Sequence, residues 1–162
     1  MNPLCRPTRR GMAILMAASA LLAGCSKVNL DREMVALCRT DGGVKVYERQ
    51  LLPPTEFDQS GNKRLYRTGT TAERETLLGP DFRYVEAFTT VAGARGNEWK
   101  GHVVRFSIKV FRKSDNKLLG ESTSYSRIGG DGLSTLWNWQ PSTSSCPEPR
   151  PELLPSLFLS TK

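Results

Sequence analysis

The side chains that could do chemistry are few. The chain carries four cysteines (Cys5, Cys25, Cys38 and Cys146) and a single histidine, His102. Any serine or cysteine triad built on histidine would have to use His102, yet no serine sits in a Gly-x-Ser-x-Gly elbow. His102 reads instead as the first residue of a strand. Two cysteines and one histidine give no recognisable zinc-ligand spacing, so no metal is expected. Asp31, Glu33 and Asp41 lie close in sequence and read as a helix cap, a solvated helix residue and a turn residue. Glu86 alternates with Phe82, Tyr84 and Phe88. That pattern makes it either a buried carboxylate or, one register away, a solvated one. Gly129-Gly130-Asp131 reads as a turn. Trp137 and Trp139, two apart, would share one side of an extended segment and offer a stacking platform for a sugar or peptide; core packing is the competing reading.

Cys25 stands apart from the others because of what precedes it. Arg6, Arg9 and Arg10 open the chain without an acid, and residues 11–23 are apolar or small with Ser19 the one hydroxyl. As a helix that run would span about 20 Å, short of the roughly 30 Å hydrocarbon core. It reads as a secretory signal rather than a membrane span. Leu22-Ala23-Gly24-Cys25 then closes it and resembles the lipobox of bacterial lipoproteins. The resemblance implies that the Cys25 thiol is alkylated by diacylglycerol, that the chain is cut just before it and that the new amine is acylated. Membrane lipid would thus be a partner through Cys25. Ser26, in place of an aspartate, implies the periplasmic face of the outer membrane; Lys27 leaves the inner membrane open.

Removing residues 1–24 leaves 138 residues, one domain's worth. Three of the 23 Lys and Arg leave with them and all 16 acids stay, so the balance falls from +7 to +4. No concentrated Lys/Arg stripe of the kind nucleic acid requires is present. Cys38 and Cys146 remain as an even pair in an oxidising compartment. They pair most simply with each other, and two free thiols or a bridge between chains are the alternatives. A bridge across 108 positions would stabilise by about 4–5 kcal/mol through loop entropy.

The elements that would position these residues begin after a tether at 25–29. Leu30, Met34, Leu37 and Cys38 follow the spacing of one helical face, capped by Asn29 or Asp31 and stopped at Thr40-Asp41-Gly42-Gly43. Residues 44–51 alternate as a strand until Pro53-Pro54. Residues 55–80 read as a long surface excursion, with an extended piece near Leu65-Tyr66 or a helical turn at 71–78 inside it. Residues 82–91 form a second strand. Residues 102–113 give the strongest alternation, Val104, Phe106, Ile108 and Val110 opposing Arg105, Ser107 and Lys109. A turn at 114–117 returns the chain as a hairpin over 118–127. The expected fold is α+β: a short N-terminal helix packed on an antiparallel sheet of three or four strands, with one disulfide. The domain runs over 30–146, and a proline-rich tail over 147–162 ends in an apolar stretch around Phe158.

Cys38-Arg39-Thr40-Asp41-Gly42-Gly43, the Tyr47 strand, Gly120-Glu121-Ser122, Gly129-Gly130-Asp131 and Ser144-Ser145-Cys146-Pro147 resemble a group of small uncharacterised proteobacterial lipoproteins. The group brings no activity with it, and the resemblance supports pairing Cys38 with Cys146. The expectation is a membrane-anchored envelope lipoprotein that binds another envelope component, has no cofactor and is not an enzyme. Trp137, Trp139 and Phe158 are its candidate contacts. The alternatives are a module for a small ligand or peptidoglycan, and an inhibitor or exclusion lipoprotein from a mobile element.

Overall fold

A computed structural model describes residues 26–59, 61, 63, 70–97, 99–132, 140–150 and 152–161. Helix α1 occupies residues 26–41. Leu30, Met34 and Cys38 are buried along one side of it, as the spacing predicts, with Val35 and Leu37 partly buried beside them. The helix already covers 26–29, so those residues are not an irregular tether, and neither Asn29 nor Asp31 caps it. It ends at Gly42, whose amide donates to the Cys38 carbonyl (2.8 Å).

Strands β1 (Gly43–Val46), β3 (Phe82–Gly93), β4 (His102–Arg112), β5 (Leu118–Ile128) and β6 (Thr143–Cys146) form one antiparallel sheet. The order is β1-β5-β4-β3. Strand β6 continues along the same edge of β5 past the end of β1, pairing Tyr125 with Cys146. The expected strand over 44–51 is broken into β1 and β2 (Gln50–Leu52). The break falls where the amides of Tyr47 and Glu48 both donate to the Leu119 carbonyl (2.8 and 3.1 Å), which turns the chain out of the sheet. A 3-10 turn, Pro54–Glu56, follows it. The helical alternative for the next stretch is realised as α2 (Thr71–Leu78). It opens with a capping box: the Glu73 amide donates to the Thr70 hydroxyl and the Glu73 carboxylate accepts from the Thr70 amide. Leu65 and Tyr66 lie outside the described residues.

The segment after Pro151 folds back onto the sheet. Helix α3 (Leu153–Leu157) and strand β7 (Phe158–Ser160) fold back, and β7 pairs in parallel with β2. Leu153, Leu157 and Phe158 are buried with Phe57, Leu78, Phe82, Tyr84, Val110 and Leu119. The backbone of β5 admits α3 through Gly120. A Cβ there would stand 3.0 Å from Leu153 Cδ1 and 3.6 Å from Leu157 Cδ1. The apolar face of 153–158 has no partner near it in sequence and finds one only across the sheet.

Alternation along β4 divides the interior into two layers. Ile108 and Val110 face the α3 side, whereas Val103 faces α1 together with Tyr125, Leu30, Met34 and Cys38. The sheet is therefore covered on both faces, not curved over one helix. The α+β class and the disulfide are as expected.

Candidate anchoring site

The described chain begins one residue after Cys25, and it begins in helix. What fastens α1 to the sheet therefore decides how any anchor at Cys25 holds the body. Three sets of contacts do so, spread from one end of the helix to the other.

The first two use a network at the Gly129-Gly130-Asp131 turn. Lys27 Nζ donates to Asp131 Oδ1 (2.8 Å) and to Ser142 Oγ (3.1 Å). Asp131 also accepts from the Ser142 amide (2.8 Å) and hydroxyl (2.6 Å). Burial alone would raise the Asp131 carboxyl; the hydrogen bonds from Lys27 and Ser142 outweigh it and bring the pKa down to about 2. One helical turn on, Asp31 Oδ1 accepts from Arg127 Nε (2.6 Å). The Arg127 side chain is 3 % exposed, so removing its charge from water is tolerable only because it is bonded on several sides. Its Nη1 donates to the Gly129 carbonyl and to Ser142 O (3.1 Å) and Oγ (3.0 Å). Gly130, at φ +87°, lets the turn approach the helix. A Cβ there would lie 3.3 Å from Lys27 Cα.

The third set closes the other end. Cys38 is bonded to Cys146, with Cα atoms 5.9 Å apart. Three residues on, Asp41 accepts from Tyr125 Oη (2.6 Å) and from Arg105 Nη2 (3.0 Å). Burial pushes the Asp41 carboxyl up; these two donors more than reverse it and leave its pKa lowered. Gly42 follows because a Cβ would stand 2.5 Å from the Cys38 carbonyl oxygen and 2.8 Å from its Sγ. Gly43 follows in turn at φ +114°. The Cys-x-x-Asp-Gly-Gly sequence is thus a helix terminus that carries its own covalent and ionic fastening.

The other candidate residues are placed as follows. Glu86 is held by α2 and its own strand: its carboxylate accepts from Arg74 Nη1, from Tyr84 Oη (2.7 Å) and from Thr71 Oγ1 (2.9 Å). Burial and then the Glu86 contact push the Tyr84 phenol well above its ordinary value. Neither oxygen of Glu86 is left without a donor, and the group ties α2 to β3. His102 stands at the start of β4 as read; it is 6 % exposed and its Nδ1 has no hydrogen-bond partner. Glu33 is exposed on α1. Among the described residues, no three His, Cys, Asp or Glu are grouped to hold a metal. Trp137 and Trp139, like Cys25, lie outside the described residues. Phe158, expected to contact a partner, is 2 % exposed and packs edge-on against Phe82 (5.0 Å between centroids). It belongs to the core because β7 seats it there.

Sequence reasoning missed Arg127, Arg105 and Tyr125. Each sits in a strand whose polar positions look solvated, and nothing local marks a partner in α1. It also missed an exposed aromatic pair. Phe88 on β3 is 65 % exposed and stacks at 4.6 Å on Phe106 of β4.

No protein-family model, curated protein or solved structure matches the chain. Fold and site define a disulfide-bridged α+β domain whose N-terminal helix is fastened along its length to a sheet. Among the described residues no helix is long and apolar enough to cross a membrane.

Proposed function

We propose that the protein is a non-enzymatic envelope lipoprotein, held by acyl chains on Cys25 at the periplasmic face of the outer membrane, that acts by binding another envelope component. The observation that carries this reading is the fastening of α1. The segment directly behind Cys25 is joined to the body by a disulfide and part-buried ion pairs, so an anchor at Cys25 fixes the whole domain and not a loose leader. Each buried lipid methylene contributes about 0.8 kcal/mol, so two or three chains make such an anchor lasting. Of the candidate carboxylates, Asp31, Asp41 and Glu86 are each engaged by structural donors, and Glu33 lies exposed on α1.

The partner, in this reading, meets the middle of β3. Phe88 leaves apolar surface in water there, with Phe106 beside it. Cys25→Ala should release the protein from membranes or leave the uncut precursor; unchanged fractionation together with unchanged palmitate labelling would refute the anchor. A photo-crosslinker at position 88 in intact cells should capture one dominant envelope protein. Peptidoglycan fragments, or no capture, would turn the weight to a module for small ligands.

A further inference from the structure

The outward side of α1 differs from its buried side in kind. Val28, Arg32, Ala36 and Arg39 recur at helical spacing on the side away from Leu30, Met34 and Cys38, and with Asp31 and the part-buried Val35, which packs against that buried cluster, they line one surface hollow. Val28 is 48 % exposed. Among the described residues neither Arg32 nor Arg39 has an ion-pair or hydrogen-bond partner. The cations on the sheet are otherwise disposed: Lys45, Lys109, Arg105 and Arg112 each stand in an ion pair. The acid bordering the stripe, Asp31, is turned to Arg127, and Glu33 lies on the flank. The stripe is thus apolar side chains interleaved with two uncompensated guanidinium groups.

We propose that this face of α1 lies on the anionic surface of the bilayer in which Cys25 is anchored, so that the domain is held in one orientation. The inference rests on the acylation of Cys25 proposed above. Two observations select lipid as the occupant. Helix α1 already includes Ser26, the residue next in sequence to Cys25, so the stripe lies close in sequence to the proposed lipid. From Val28 the stripe extends about 16 Å along the helix to Arg39. The charge also fits. Arginines flanking apolar residues reach phosphate oxygens while their stems and Val28 settle at headgroup level. The fastening of α1 at both ends then transmits that orientation to the sheet.

The test uses the full chain, expressed in a bacterium, extracted from its membranes and reconstituted into phosphatidylcholine vesicles with or without phosphatidylglycerol. A nitroxide is attached through Ala36→Cys in one sample and through Ser114→Cys, in the exposed β4–β5 turn, in another. The mass of the N-terminal peptide is measured in parallel. On vesicles with phosphatidylglycerol the label at 36 should lose contact with an aqueous nickel chelate and gain contact with oxygen, while the label at 114 stays aqueous. Arg32→Gln and Arg39→Gln should each lower the ratio of shielded to exposed label about fivefold. An acylated Cys25 with a water-exposed label at 36 overturns this inference alone. Equal shielding on neutral vesicles overturns the anionic recognition. An N-terminal peptide without acyl mass refutes the anchor and takes this inference with it.

Discussion

Among the described residues, one face of the sheet is closed by nine buried apolar residues running from Phe57 to Phe158, and the other by five, one of which is half of a disulfide. On the α3 side, area suffices. Leu78, Leu119, Leu157 and Val110 are almost wholly removed from water, and fully burying a side chain of that size contributes about 1.5–3 kcal/mol. Among the described residues the apolar layer on the α1 side is the smaller, and a bridge, a buried arginine and two carboxylate clamps add to it. Area is indifferent to direction, whereas a disulfide and charged hydrogen bonds are not. The α1 face is therefore fixed in position as well as in place, which suits the segment next to the anchor proposed at Cys25.

The comparison is broken most severely at the bridge. Cys38→Ser should cost about 4–5 kcal/mol, Cys146→Ser the same, and the double variant no more. Denaturant melts measure this; unequal single losses would contradict the bond. Hydrogen exchange should show α1 losing protection before β4 and β5 do. On the opposite face Leu157→Ala should cost about 3–4 kcal/mol, as cavity formation there leaves the sheet uncovered. Protection should then fall across the whole sheet at once, and loss confined to the tail would mean that α3 is an accessory. Third, Asp31→Ala leaves Arg127 buried without its carboxylate. A loss of about 3 kcal/mol is expected, at the low end for a broken buried pair because the Gly129 and Ser142 oxygens remain. A change within error of zero would show that the network only decorates the turn.

The smallest effect sharpens the contrast by pH. Asp131 has a folded pKa of about 2 against roughly 3.9 for an unfolded aspartate. A lowered folded value contributes stability that is complete above the unfolded pKa and is lost as pH falls through the folded one. Asp41, also lowered, acts in the same direction. Acid titration between pH 4 and 2 should therefore loosen α1 while the α3 side keeps its protection. Asp131→Asn should flatten the slope in that window.

What could be read from the residues was what neighbours in sequence decide. The spacing of Leu30, Met34 and Cys38 makes one face of a helix whatever it packs against. The alternation of β4 and the turn at 114–117 likewise hold within one hairpin, and an even pair of cysteines suggested its own bond. Only the tertiary structure could decide matters that depend on distant partners. Phe158 looked like an exposed anchor until β2 and Phe82 enclosed it. Arg127 looked solvated until Asp31, 96 positions away, met it across the sheet. Residues 26–29 looked like a tether because the turn that receives Lys27 lies a hundred residues further on. Periodicity is a property of the local backbone; burial and charge compensation belong to pairs of segments, and no single segment carries both halves.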